Sequence, residues 1–202
     1  MKLYYAPGAC SLSCHIALLE SGLEFDLERV DLKSKVTEFA RDFNAINSKG
    51  YVPALVLDDG EVITENVAVL DWVATRFPPL GIEGELGRTR MLEVLSYLSS
   101  EIHKGFKPFW HADSPEAKAD AEIQLIRRLR WLADRMQGRY LFGDQPTVAD
   151  YYLFVMLRWA ARFGVAVPQA LMALQARVDA RPNVRAAIDF EEIPATQAGS
   201  LR

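Results

Sequence analysis

The stretch Lys2-Leu3-Tyr4-Tyr5-Ala6-Pro7-Gly8-Ala9-Cys10-Ser11 decides the fold of this chain. Leu3, Tyr4 and Tyr5 are strand-prone side chains, and Pro7-Gly8 breaks the run. From Ser11 a helical apolar pattern continues through Ile16, Leu18 and Leu19, and Gly22 stops it after Ser21. A cysteine therefore stands between a first strand and a first helix. At that place free main-chain N–H groups and the helix dipole favour a thiolate. Either the thiol of Cys10 reacts, or the site is built to hold another molecule's thiol.

Working outward, Phe25–Val30 reads as a second strand. The polar stretch Lys33–Asn47 predicts a short helix around Glu38–Phe43. Val52–Leu57 is a third strand, Asp58-Asp59-Gly60 a hairpin turn signal, and Glu61–Ile63 the strand that pairs back. Asn66–Phe77 is helical, with Val69, Leu70 and Val73 on one stripe. Residues 1–77 thus form a βαβαββα unit of the α/β class. Pro78-Pro79-Leu80-Gly81 opens a linker over 78–87. Residues 88–202 show no convincing strand. Met91, Leu92, Leu95, Leu98 and Ile102 keep helical spacing, as do Ile123, Leu125, Ile126, Leu129 and Leu132, so this second part is all-α. Thr147-Val148-Ala149-Asp150 is a capping box with Asp in place of the usual Glu.

Half of the 202 residues are hydrophobic, enough for one large core or two small ones. Residues 1–77 carry 7 basic and 12 acidic side chains, and the rest 16 and 15, so neither part has the basic surface a nucleic-acid partner needs. No apolar run approaches the ~18 residues of a membrane span, and the N-terminal apolar stretch is too short for a secretory signal. Cys10 and Cys14 are the only cysteines, which makes no disulfide framework and points to a reducing cytoplasm. His15 and His111 lack partners at metal-ligand spacing, so no metal site is expected.

Five pieces stand in order along residues 1–190: Lys2 to Ser11, Val52-Pro53, Thr64-Glu65, Glu101-Ile102-His103-Lys104-Gly105-Phe106, and Gly143-Asp144-Gln145-Pro146-Thr147-Val148-Ala149-Asp150. Together the set resembles the cytosolic glutathione transferases, most closely the bacterial beta class. The resemblance implies a thioredoxin-like domain, an all-helical domain, a homodimer, and glutathione as the bound thiol. It places the glutathione sulfur near Cys10 and His103, with Ser11 as a second hydroxyl beside them. It implies a glutathione site made from Ala9, Cys10, Lys35, Tyr51, Val52, Pro53, Glu65, Asn66, His103 and Lys104. In it, a cis Pro53 frees the Val52 main chain to pair with the cysteinyl backbone, and Glu65 meets the γ-glutamyl ammonium. The N–H of residue 66 meets the γ-glutamyl carboxylate. Relatives usually have Gly or Ser where this chain has Asn66. Tyr5, Phe106, Trp110 and Trp159 are expected to line the apolar pocket for the second substrate, although the same spacing describes inter-helix core.

The activity implied is conjugation of glutathione to small, largely apolar electrophiles. A glutathione-dependent thiol–disulfide exchanger acting through a Cys10 mixed disulfide is an alternative, and a non-catalytic interaction or carrier module is another. Cys14 lies one helical turn from Cys10, and reads as a packed residue. Cys10 itself is open between nucleophile, redox thiol and stabiliser of the glutathione thiolate.

Overall fold

The computed structural model describes residues 1–111 and 114–191. The N-terminal part is a five-stranded sheet flanked by two helices. Its strands are β1 (Lys2–Tyr5), β2 (Asp26–Asp31), β3 (Val36–Thr37), β4 (Ala54–Val56) and β5 (Val62–Thr64), in the spatial order β3-β2-β1-β4-β5. Strand β1 runs parallel to β2, with Leu3 opposite Leu27, and antiparallel to β4, with Leu3 opposite Leu55. Helix α1 (Ser11–Ser21) makes the crossover between the parallel pair, and α2 (Asn66–Arg76) follows β5. Gly22, at φ +69°, adopts the left-handed turn that ends α1 and donates its N–H to Leu19 O.

The helix expected around Glu38–Phe43 is absent. The short strand β3 replaces it, pairing with β2 so that Thr37 lies opposite Val30, and a 3₁₀ turn follows at Phe43–Ala45. Local hydrogen bonding decides this. The Asp31 carboxylate accepts from the N–H groups of Lys33 and Ser34 and reverses the chain immediately after β2. Ala40 sits at φ +59°, which no α-helix tolerates. Asp42 then takes the N–H of Asn44 and starts the 3₁₀ turn. The expected third strand, Val52–Leu57, is observed as Ala54–Val56, after a cis Val52–Pro53 peptide.

The rest is helical: α3 (Gly87–Tyr97), α4 (Lys107–His111), α5 (Pro115–Ala133), α6 (Val148–Phe163), α7 (Gln169–Asp179) and α8 (Pro182–Phe190). A π-helical turn, Leu98–His103, continues α3 toward α4. The expected all-helical part extends to residue 202, of which 192–202 lie outside the described residues. Helix α1 packs against α2 on one side and α6 and α8 on another, which is why Ser11 through Leu18 are all buried. Each of Leu12, Ile16 and Leu18 there contributes about 1.5–3 kcal/mol by leaving water. Helix α6 is buried without interruption from Val148 to Leu157, as expected of a helix apolar on all sides. It is therefore the central post of the helical part, and it abuts the helix that follows Cys10.

Candidate active site

The Pro7-Gly8 turn and α1 set Cys10. The turn is closed by Ala9 N–H donating to Ala6 O, and Cys10 caps α1 with helical φ and ψ. Its thiol is buried, with Sγ 3.6 Å from Val52 O as donor. Burial pushes this thiol up to about 12, the N–H groups of Ser11 and Cys10 pull it down by less, and Glu65 and Glu191 push it further up. The expectation that the helix start leaves a thiolate on Cys10 is thus reversed, because desolvation outweighs the helix amides. Cys10 is a neutral donor at neutral pH. Ser11 is also buried, and its hydroxyl is engaged with the main chain of Ala6, accepting from N–H at 3.2 Å and facing the carbonyl at 3.4 Å. That places it as a brace of the turn beside Cys10.

The loop before β4 and the start of α2 form the next wall. Lys35 donates from Nζ to Gly50 O at 2.6 Å, and Asn47 Nδ2 donates to Tyr51 O at 2.8 Å, so the segment 47–53 is held from both sides. Glu65 precedes α2 at φ +76° and ψ +128°, a strained conformation for a residue with a side chain. Its exposed carboxylate pairs with Lys49 Nζ and accepts from the Tyr51 hydroxyl at 3.1 Å. The bond from Lys49 holds this carboxyl below its usual range, against a burial contribution, and Tyr51 and Lys104 help. The free N–H groups that open α2 lie immediately after it. Asn66 is buried, and its side chain turns inward: Nδ2 donates to Ser13 Oγ at 2.9 Å, and Oδ1 lies 3.1 Å from Cys14 Sγ. It bridges α1 and α2 through that side chain. Cys14 is packed in that bridge.

The helical part supplies the opposite wall. His103 ends the π-helical turn, with Nδ1 2.8 Å from the hydroxyl of Tyr152 on α6. Burial brings His103 down to about 4, and the neighbouring Lys104 charge acts the same way, so the imidazole is neutral at physiological pH. The His103 ring lies edge-on to Trp159, with centroids 4.9 Å apart, and Trp159 in turn contacts Trp110 at 4.8 Å. Trp159 Nε1 donates to Gly8 O at 2.9 Å, which ties the aromatic cluster to the turn that carries Cys10. Phe106 is fully buried under Phe109, Trp110, Trp159 and Phe163 and supports the cluster from below. Tyr5 lies elsewhere: its ring packs on His15 and Phe190. Of the four residues expected at the second-substrate pocket, half-buried Trp110 and buried Trp159 are those that stand with His103 and one another.

Three groups of the site carry little signal in the sequence. Tyr152 is hidden in an apolar run. Lys49 is one lysine among many. Glu191, buried behind α8, accepts from Gly8 N–H at 2.9 Å and lies 3.0 Å from His15 Nδ1, a contact across almost the whole chain. Among the described residues no group of three or more His, Cys, Asp or Glu is placed to hold a metal ion, and no helix is long and apolar enough to cross a membrane.

Known proteins are similar to this chain over nearly its whole length. The family model of the glutathione S-transferase N-terminal domain matches residues 8–76, and that of the C-terminal domain matches residues 67–189. Glutathione S-transferase GstA of Escherichia coli O157:H7 is 39% identical over 198 residues, covering 95% of this chain and 98% of that protein. The beta-class glutathione S-transferase of Sphingomonas chungbukensis superposes with a TM-score of 0.87 at 41% identity, over 96% of this chain and 100% of its own. A sphingomonad glutathione S-transferase solved with glutathione gives a TM-score of 0.86 at 42% identity, again over 96% and 100%. With a thioredoxin-like sheet, an all-helical partner and a buried cysteine at the start of α1, this chain belongs to the glutathione S-transferase family, bacterial beta class.

Proposed function

We propose that the protein ionises the thiol of glutathione and transfers the sulfur to small, largely apolar electrophiles. The observation that carries this reading is the set of contacts around Cys10: its thiol on Val52 O, its turn bonded through Gly8 O to Trp159, Trp159 packed on His103 and Trp110, and the Glu65 charge acting on the thiol. A peptide thiol has both its backbone and its charges answered there. The cysteinyl main chain lies along Val52 and Pro53, next to Ala9 and Tyr51. Glu65 takes the γ-glutamyl ammonium, and the N–H of Asn66 takes the adjacent carboxylate. Lys35, anchored on Gly50, supplies a positive charge for the glycyl carboxylate. The sulfur then sits between Cys10 and His103, with Lys104 adding positive potential. The glutathione complex of the sphingomonad relative supports this ligand.

The chemistry follows from the protonation states. Cys10 is a neutral thiol, so its one S–H turns from Val52 O to the glutathione sulfur and stabilises its negative charge. The thiolate attacks an electrophilic carbon held against Trp110 and Trp159. A sulfur–carbon bond forms, and the leaving group departs with its electron pair. The thiol–disulfide alternative requires a Cys10 thiolate, which burial opposes. The reading is tested by titrating the protein with glutathione while following thiolate absorbance in the ultraviolet, and by assaying conjugation to 1-chloro-2,4-dinitrobenzene. A bound thiol ionising at least one pH unit below free glutathione, with turnover of the chloride, is the expected result. Cys10→Ala should keep conjugation, slowed about ten- to a hundredfold, the scale of one hydrogen bond to a charged sulfur. Abolished conjugation would return Cys10 to the nucleophile role. The family also supports a homodimer, checked by sedimentation equilibrium, and the unpaired Cys10 and Cys14 support a cytoplasmic setting.

A further inference from the structure

Tyr152 is fully buried on α6, and its hydroxyl is engaged at the edge of the site. One residue of the π-helical turn reaches it. His103 Nδ1 lies 2.8 Å away, and the two rings stand edge to face at 87° with centroids 6.1 Å apart. Single π-helical turns recur at functional sites because they re-aim one side chain of a helix. This one aims the imidazole of His103 at a fixed phenol.

The protons can be assigned by counting. The phenol has one O–H, and a buried O–H needs an acceptor. Its proton then goes to His103 Nδ1. A neutral imidazole that accepts at Nδ1 carries its proton on Nε2. The converse arrangement, with Nδ1–H donating, would turn the phenol's own proton toward the apolar neighbours of a buried helix. Burial of the ring and the adjacent Lys104 keep the imidazole from taking a second proton.

We infer that Tyr152 is a positioning residue that fixes His103 as the Nε2–H tautomer, so that His103 meets the glutathione sulfur as a hydrogen-bond donor and not as a proton acceptor. This rests on the glutathione reading given above. The thiol proton accordingly leaves to water, and the thiolate stays between two donors, Cys10 Sγ–H and His103 Nε2–H. Trp159 holds the other edge of the ring in place through its bond to Gly8 O.

The test is a long-range 1H–15N spectrum of histidine-labelled protein at pH 7, with His103 assigned from His103→Gln. The expected pattern is an acceptor-type Nδ1 and a protonated Nε2. In Tyr152→Phe the pattern moves toward the mixture of a free imidazole. The thiol of bound glutathione then ionises about one pH unit higher, so kcat at pH 6.5 drops roughly tenfold. The deficit closes at alkaline pH, and KM for glutathione stays within about twofold, because no contact to the peptide is lost. A protonated Nδ1 in the parent protein overturns the inference, as does a Tyr152→Phe protein with unchanged tautomer and pH profile. Should Tyr152→Phe not fold, the spectrum of the parent protein decides alone. Failure of the parent protein to bind glutathione overturns the functional reading and the sulfur contact with it. The wrong tautomer in a glutathione-binding protein overturns the role of Tyr152 alone.

Discussion

At the scale of single residues, burial settles what the helix start alone leaves open. A cysteine at the first turn of a helix reads from sequence as a thiolate, but Cys10 is enclosed and pushed up to about 12. Against an ordinary thiol near 9, that lowers the thiolate fraction at pH 7 roughly a thousandfold. Alkylation of Cys10 by iodoacetamide without glutathione should therefore be slower than that of free cysteine by a similar factor. Its rate should keep rising tenfold per pH unit through pH 10. A rate that levels off near pH 7, followed by mass spectrometry of the Cys10 peptide, would contradict the burial argument. Glu65 is the opposite case. Its exposed carboxylate is held ionised by Lys49 and strained into place ahead of α2. Glu65→Gln keeps the shape and removes the charge, so glutathione should bind about ten- to a hundredfold more weakly by calorimetry, the worth of a charge-assisted bond. Unchanged affinity would move the ammonium to another group.

At the scale of elements, Asp150 decides whether α6 starts correctly. Its carboxylate accepts from Leu141 N–H, Thr147 N–H and the Thr147 hydroxyl, all at 2.8 Å. Asp150→Ala leaves two buried N–H groups without partners and should cost about 2–4 kcal/mol in urea unfolding, from about 1–3 for each unmatched group with partial relief by water. Selective loss of turnover at normal stability would be the wrong signature. This capping box was legible in the sequence because its logic is local, and so were β1, α1 and α2, whose apolar spacing and stop signals agree. The stretch after β2 was not legible. Its polar composition fits a helix or a turn equally well, and the choice fell to the Asp31 and Asp42 side chains and the positive φ of Ala40. In the site, Cys10, Glu65 and His103 could be named from the ordered family motifs. The inward turn of Asn66, the role of Tyr152 and the Glu191 contact to Gly8 depend on packing between distant elements, which no local pattern encodes.

At the scale of the molecule, buried Asp150 and half-buried His103 tie folding to pH in opposite directions. The carboxyl of Asp150 is raised by burial to about 6, so the folded state holds that proton more tightly than the unfolded chain. Its contribution to stability is full below about pH 4 and is lost as pH rises to about 6. Glu191, also raised by burial, acts in the same sense. His103 is lowered to about 4 from an ordinary 6.5, so it contributes stability above pH 6.5 that is lost as pH falls toward 4. The spans for His103 and Asp150 are similar, at about 3 kcal/mol each by the pKa conversion, and they overlap between pH 4 and 6.5. The intact protein should therefore show a shallow urea midpoint across that range, tilted slightly toward the acid side by Glu191. His103→Gln removes the rising contribution and leaves both carboxyls. Its stability should fall by about 3 kcal/mol more than the parent's between pH 4 and 6.5. Urea unfolding of both proteins at pH 4.5, 5.5 and 6.5 measures the difference directly. Parallel pH profiles for the two would mean that His103 titrates alike in the folded and unfolded chain, and so is not desolvated by the aromatic cluster that joins α6 to the Cys10 turn.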